Sequence, residues 1–246
     1  MSGIIFVSPS QIKSYRACNR YWAFAKIDRI PRKTSEAQEA GLENHRQIEG
    51  WLCEGKLPWS IARQAIHYIP TPGPALLIEQ KFERPMWEVA PDTIMTGYLD
   101  LFVPATPPLV CDWKTTKDLK YAMDAEALHR DEQSVIYSKI ALEEARTERV
   151  DVRWIYFEYR KATMQPTGVR KVETYYTPET IQPLWDEIVE TAKEIRWHKL
   201  NTQRAIDVKP NAANCMAYGG CPYLSICPVT AEQQLAAHWA QFEKFS

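Results

Sequence analysis

The chain has 246 residues, of which 45% are hydrophobic and 25% are charged, and its formal net charge is −1. This length and composition are typical of a globular protein with a sizeable core, and a net charge so close to zero gives no general attraction to nucleic acid. No apolar run approaches the roughly 18 residues that cross a membrane, and the N-terminus lacks the features of a secretory signal. We therefore expect an intracellular, cytoplasmic protein that makes no membrane contact.

The predicted elements alternate between helices and strands. Ser8, Pro9 and Gln11 resemble a capping box, so a first helix is expected to run towards Cys18. Periodicity predicts further helices over residues 35–52, 58–68, 122–146 and 177–200. Strands are predicted over residues 75–82, 94–103, 109–114, 151–159 and 169–176, with a turn at 166–168. This order favours an α/β fold in which helices flank a central mixed β-sheet.

A basic and aromatic stretch covers residues 13–33, with seven Lys or Arg residues against one acid, Asp28. Its aromatic side chains are Tyr15, Tyr21, Trp22 and Phe24. Basic groups interleaved with aromatic rings suit single-stranded nucleic acid. A solvated helix with a partly buried aromatic face explains the stretch equally simply, and this segment alone favours that interpretation.

Two predicted strands in the middle of the chain carry charged residues in an apolar setting. Asp100 lies on the first, and Asp112 and Lys114 share one face of the second, so a hairpin brings the three groups together. Buried charges are costly unless they are paired or bind a metal, which predicts either a divalent-cation site or a structural Asp–Lys ion pair. Glu79 is a candidate support for this site but is more typical of an exposed edge-strand residue. His45 faces inward on the second helix, where a lone histidine is usually a core residue.

The C-terminal region contains three cysteines at equal spacing among Gly and Pro residues: Cys215, Cys221 and Cys227. Three clustered thiols in a cytosolic protein indicate a zinc or iron–sulfur site that needs a fourth soft ligand, rather than disulfides. The candidates are Cys18, Cys53 and Cys111, and we favour Cys18 because it ends the first helix in a loop-like setting. Three unligated cysteines in a loop are the alternative.

These motifs occur in an order that resembles a known family. They are residues 8–18, Gly41 to His45, Gly97 to Asp100, Asp112 to Lys114, Gln133 to Tyr137, and the three late cysteines. The combination resembles the PD-(D/E)xK nuclease superfamily, in the RecB-type branch with an iron–sulfur cluster. It is similar to the CRISPR-associated exonucleases of the fourth Cas family and to AddB-type nuclease domains. The five residues between Cys215 and Cys221 are a departure, because those relatives often hold this pair closer together.

The resemblance implies a role for each motif. Mg²⁺ or Mn²⁺ is expected to bind to His45, Asp100, Asp112 and the main-chain carbonyl of Trp113. Lys114 is expected to orient or help deprotonate the attacking water and to offset negative charge, while Gln133 and Tyr137 position the site and the nucleic-acid strand. A [4Fe–4S] cluster, in preference to zinc, is expected on Cys18, Cys215, Cys221 and Cys227.

The implied organisation is one nuclease domain over residues 1–246. Residues 35–204 form a restriction-endonuclease-like core, and residues 1–34 and 205–246 form a subregion joined by the cysteine-ligated cluster. The implied function is a metal-dependent DNA nuclease, an exonuclease on single-stranded DNA or DNA ends. Its setting is recombination, repair, CRISPR adaptation or phage DNA processing, with proteins of recombination, replication or CRISPR adaptation as partners. The alternatives are a catalytically idle nucleic-acid-binding scaffold with the same cluster and a zinc-stapled structural adaptor.

Overall fold

A computed structural model of the protein describes residues 3–32, 36–59, 62–160, 165–216, 220–233 and 235. The α-helices are α1 (Pro9–Ala17), α2 (Asn19–Lys26), α3 (Glu36–Glu54), α4 (Ala125–His129), α5 (Glu132–Ala145) and α6 (Pro178–Asn201). The strands are β1 (Ile5–Val7), β2 (Leu77–Pro85), β3 (Thr93–Val103), β4 (Leu109–Thr116), β5 (Val150–Arg160) and β6 (Gln165–Tyr176). Within these described segments, no helix combines the length and the apolar character needed to cross a bilayer.

The six strands form one mixed sheet in the order β1-β3-β4-β5-β6, with β2 also paired to β3. β3 and β4 are antiparallel with Leu101 opposite Cys111, whereas β4 and β5 are parallel with Asp112 opposite Trp154. β1 runs parallel to the start of β3, and β6 runs antiparallel to β5. The predicted α/β architecture with a mixed sheet is therefore confirmed.

Two compact units divide the chain. The first contains the described residues within 1–33, 84–95 and 188–246, and the second contains those within 34–83 and 96–187. The predicted subdivision, with a core at 35–204 and a cluster region at 1–34 and 205–246, stays a prediction.

In the second unit, helices cover both faces of the sheet. α3 contributes Ala40, Ile48 and Leu52 to a buried cluster with Trp113 and Cys111 of β4. Successive side chains of a strand point to opposite faces, so Asp112 faces away from this cluster and towards α5. The sheet therefore places the apolar and the charged residues of β4 on opposite sides.

Side-chain caps explain where two of the helices begin. Ser8 accepts a hydrogen bond from the Gln11 amide at 3.3 Å, with Pro9 in the first turn, as the sequence predicts. Asp131 accepts from the amides of Gln133 and Ser134, both at 3.2 Å, and starts α5. That cap divides the predicted helix 122–146 into α4 and α5, because an extended Asp131 cannot continue α4.

Four other segments differ from the sequence-based prediction. The stretch 58–68 holds one turn of 3₁₀ helix, Ala62–Ala65, among its described residues, while residues 60 and 61 lie outside them; so short a helix gains little without packing. Residues 166–168 continue β6 instead of forming a turn, and the connection from β5 falls on undescribed residues 161–164. β1 and α2 were not predicted, because three residues and eight residues give too little periodicity.

Candidate active site

Asp112 and Lys114 form an ion pair on the α5 side of β4. The Lys114 Nζ lies 2.6 Å from Asp112 Oδ2, and the Asp112 side chain is fully buried. Burial lowers the pKa of Lys114, but the Asp112 and Asp100 carboxylates outweigh it and raise the pKa above its usual value. The alternation of a strand thus places both groups on one face, as predicted.

Gln133, in the first turn of α5, joins this pair to Tyr137. Its Nε2 donates to Asp112 Oδ1 at 2.8 Å and to the Tyr137 hydroxyl at 2.9 Å. Its Oε1 accepts a hydrogen bond from Lys114 Nζ at 2.8 Å. One amide therefore fixes the acid, the base and the phenol relative to one another.

Asp100 lies beside Asp112 and also reaches the α3 side of the site. Its Oδ2 accepts a hydrogen bond from the Trp113 amide at 3.4 Å, in keeping with the β3–β4 register. Burial, followed by the charge of Asp112, raises the pKa of Asp100 well above its usual value, and Lys114 only partly offsets this. Two carboxylates held this close favour a cation between them.

His45 of α3 faces the same acidic groups. Its Nδ1 lies 3.6 Å from Asp100 Oδ2 and 3.9 Å from Glu79 Oε1, and its Nε2 lies 3.0 Å from the main-chain oxygen of Trp113. The His45, Glu79 and Asp100 ligand atoms all lie within 4.8 Å of one another. An imidazole and carboxylate oxygens are ligands that Mg²⁺ and Mn²⁺ accept, so these residues fit a divalent cation.

Solvent reaches this group through a cleft of about 690 Å³ beside α3. The cleft is lined by one face of the helix, including Gly41, His45 and Glu49, together with Glu79 of β2. His45 and Glu79 are each about one-third exposed, at 33% and 35% of the side chain, whereas Asp100 is 9% exposed. The group is thus anchored in the sheet and open on one side, as a hydrolytic metal site requires for water to enter.

Glu79 lies closer to the site than expected, because the sequence favoured an exposed edge-strand residue over a support for the site. The structure brings it beside His45, through a backbone φ of +48° inside β2. Non-glycine residues rarely adopt a positive φ, and a glutamate carries no sequence signal for it. Strand periodicity therefore could not predict that Glu79 lies near His45.

The four cysteines of the predicted cluster all belong to the first unit. Cys18 Sγ accepts a hydrogen bond from the Asn211 amide at 3.2 Å, and Cys227 Sγ lies 3.7 Å from Arg20 Nη1. Burial and then the neighbouring thiols raise the pKa of Cys215. A cavity of about 450 Å³ opens between them and is lined by Cys18, Cys215 and Cys221.

Cys53 and Cys111, the other two candidates for the fourth ligand of the predicted cluster, lie in the second unit. Cys111 is fully buried in the core cluster, and Cys53 is exposed near the end of α3.

The basic and aromatic stretch mainly supports the first unit. Arg16 donates to Thr191 Oγ1 at 3.0 Å, and Arg20 donates to the Val208 carbonyl at 2.7 Å. Tyr15 and Trp22 are buried and pack edge-to-face with ring centroids 5.2 Å apart. Lys33, at the end of the stretch, lies outside the described residues. Two of its arginines thus have structural partners, in keeping with the interpretation that the segment alone favoured.

Solved structures of other proteins resemble the fold of this chain. No curated protein matches the chain. The crystal structure of SSO0001 superposes with a TM-score of 0.53 at 16% identity, covering 93% of this chain and 88% of the other. A "putative exonuclease" from Eubacterium rectale gives a TM-score of 0.53 at 13% identity, covering 83% of each chain. At such identities these two similarities establish a shared fold.

The family model for the PD-(D/E)XK nuclease superfamily matches residues 72–228. The matched region contains the β3–β4 hairpin with Asp100, Asp112 and Lys114, and it also contains Gln133 and Tyr137. Because the match spans more than half of the chain, the protein belongs to the PD-(D/E)XK nuclease superfamily.

Proposed function

We propose that the protein is a Mg²⁺- or Mn²⁺-dependent deoxyribonuclease that acts as an exonuclease on single-stranded DNA or DNA ends. The observation that carries this proposal is the meeting of two groups at β4. One is the Asp112–Lys114–Gln133–Tyr137 hydrogen-bond network, and the other is the open His45–Glu79–Asp100 group.

Each residue has a role that follows from its contacts. Asp100, Asp112 and His45 would hold the cation, and when bound the cation supplies Lewis-acid activation of water and of the phosphoryl oxygen. Lys114, fixed by Asp112 and Gln133, would orient the attacking water and offset negative charge on the phosphate. Gln133 and Tyr137 would hold these groups in register with the DNA strand.

The Trp113 carbonyl has a more specific part in this proposal. It can only accept hydrogen bonds, so the bond with His45 requires a proton on Nε2 and leaves Nδ1 free of one in the neutral ring. This orients the imidazole towards the acidic groups, and direct ligation of the cation by the carbonyl stays a prediction.

The RecB-type branch and its [4Fe–4S] cluster are also part of the proposal. The cavity lined by Cys18, Cys215 and Cys221 offers room for a group larger than a single ion, and Cys227 adjoins the guanidinium of Arg20. Clustered thiols suit an iron–sulfur cluster or zinc, and we favour the cluster because the family resemblance implies it.

Cleavage of labelled DNA tests the proposal. Linear and circular substrates, single- and double-stranded, would be incubated with metal-free protein plus Mg²⁺, Mn²⁺ or EDTA. We expect progressive shortening of linear single strands with either metal, none with EDTA, and survival of circles. Binding of DNA without any cleavage would instead identify a nucleic-acid-binding scaffold. The biological pathway, the protein partners and an intracellular location stay predictions from the sequence.

A further inference from the structure

We propose that Glu79 is a ligand of the divalent cation, binding it together with His45 and Asp100. This inference rests on the proposed nuclease function and adds a residue to that same site. Four observations on Glu79 and its surroundings support it: the orientation of His45, the balance of charge, the backbone of β2, and the access from the cleft.

His45 directs its Nδ1 towards two carboxylates. Its Nε2 lies 3.0 Å from the main-chain oxygen of Trp113. On the other side of the ring, Nδ1 lies 3.6 Å from Asp100 Oδ2 and 3.9 Å from Glu79 Oε1. One imidazole nitrogen and two carboxylate oxygens that converge in this way are a donor set that a divalent cation accepts. A histidine that donates its other N–H to a main-chain carbonyl is also the usual arrangement beside a bound metal.

Acidic groups predominate around this site. The carboxyl groups of Asp100, Asp112 and Glu79 adjoin one cationic side chain, Lys114. A divalent cation bound among them would offset this excess of carboxylates.

The backbone of β2 is bent at Glu79. Its φ of +48° is a left-handed conformation that is strained in a non-glycine residue. In a regular strand, Ile78 and Phe82 would share a face. Here Ile78 packs against the core cluster on the α3 side, while the Phe82 ring meets Tyr137 edge-on at 5.8 Å on the α5 side. Glu79 lies at the change of face, and strained positions of this kind concentrate at functional sites.

The ligand atoms also have suitable spacing and access. The His45, Glu79 and Asp100 ligand atoms lie within 4.8 Å of one another, so one cation among them would be in reach of all three side chains. Glu79 and His45 line the same cleft, so the cation and its waters can enter from solvent.

Manganese binding to metal-free protein tests this inference without using cleavage. Binding would be followed by loss of the electron paramagnetic resonance signal of free Mn²⁺ in wild type, Glu79→Gln and Glu49→Gln. Glu49 lines the same cleft outside the three-residue group, so its variant makes the same charge change as a control. We expect Glu79→Gln to weaken the Mn²⁺ Kd by about tenfold or more and Glu49→Gln by less than about twofold.

Thermal melts keep the inference falsifiable if the glutamine variant folds poorly. In EDTA, Glu79→Gln should melt at the wild-type temperature or higher, because it removes a carboxylate next to Asp100 and loses no metal. At one Mn²⁺ concentration well above both Kd values, the Tm of wild type should rise more than that of the variant, since the stabilisation by a ligand increases with the logarithm of its affinity for the folded state. Glu79→Asn, which tolerates a left-handed φ, should behave in the same way.

Equal Mn²⁺ affinity and equal metal-induced Tm shifts in wild type and both Glu79 variants would overturn the inference. The proposed function fails separately, if metal-loaded wild type leaves DNA intact. A protein that binds Mn²⁺ through Glu79 but cleaves nothing would therefore retain this inference and lose the nuclease assignment.

Discussion

Gln133 offers a sharp test of how the site is held together, because it contacts three proposed functional groups without being a ligand. Its amide nitrogen bonds to Asp112 Oδ1 at 2.8 Å and to the Tyr137 hydroxyl at 2.9 Å, and its oxygen bonds to Lys114 at 2.8 Å. Gln133→Leu removes all three bonds at nearly constant volume. The Asp112–Lys114 ion pair of 2.6 Å stays available, so the two groups remain close but lose their fixed direction.

The expected effect is on the cleavage rate measured at saturating metal. A hydrogen bond to a charged group contributes about 1.5–3 kcal/mol, and misplacement of a reacting group by about 1 Å costs about 10²-fold in rate. We therefore expect Gln133→Leu to lower the single-turnover cleavage rate by about 10²-fold, or about 2.7 kcal/mol. The Mn²⁺ Kd should also weaken, by about tenfold, because one of the three bonds orients Asp112, a proposed ligand of the cation.

Two further variants make the result specific. Gln182→Leu makes the same substitution on the exposed surface of α6, where Gln182 bonds to Asp186, and should cleave like wild type. Gln133→Glu keeps an acceptor for Lys114 but sets a carboxylate against Asp112, so it should be at least as slow as Gln133→Leu. If Gln133→Leu, folded and metal-loaded, cleaves at the wild-type rate, the network does not position the reaction.

Two other predictions concern the first unit. Burial, followed by the charge of Lys26, lowers the pKa of Lys199 to about 8, and its Nζ donates to the Phe6 carbonyl at 2.6 Å. Between about pH 8 and pH 10.4 the unfolded chain therefore binds more protons at Lys199 than the folded chain does. The folded state is fully destabilised by the charged Lys199 below this pH range, and the destabilisation is gone above it. The Tm of Lys199→Met minus that of wild type should therefore be larger at about pH 7 than at about pH 10. The surface variant Lys193→Met should show no such trend. If the Tm difference between Lys199→Met and wild type is the same at both pH values, the lowered pKa of Lys199 is refuted. Cys18→Ala should be pale, with less iron and sulfide and a lower Tm than wild type, because the free energy of cluster ligation contributes to folding. Cys53→Ala should match wild type. Full iron content in Cys18→Ala would exclude Cys18 as a ligand.

Sequence patterns were sufficient for the parts of the site that follow strand and helix periodicity. Asp112 and Lys114 are two residues apart on a strand, so they share a face, and Gln133 and Tyr137 are four apart on α5, so they are neighbours. Both relations hold wherever the element forms. The order of the motifs added the superfamily, which the family model confirms.

Periodicity could not reveal features that depend on one unusual backbone angle or one tertiary contact. Glu79 has a positive φ and lies 3.9 Å from His45, and no neighbouring glycine or proline in the sequence indicates that the backbone bends there. The division of α4 from α5 depends on Asp131 acting as a cap instead of a helix-interior residue. Residues 13–33 allowed both a nucleic-acid-binding and a surface-helix interpretation, and only the tertiary structure shows that Arg20 donates to the Val208 carbonyl.

The measurement that tests the central claim most directly is metal-dependent cleavage by an Asp112 variant. Asp112→Asn keeps the size of a fully buried side chain and removes the charge that pairs with Lys114. Asp118→Asn, at an exposed cap of the following turn, is its control. With end-labelled single-stranded DNA and Mn²⁺, we expect Asp112→Asn to cleave about 10²–10⁴-fold more slowly than wild type, with Asp118→Asn unchanged. Cleavage by folded Asp112→Asn at the wild-type rate would contradict the assignment of this site.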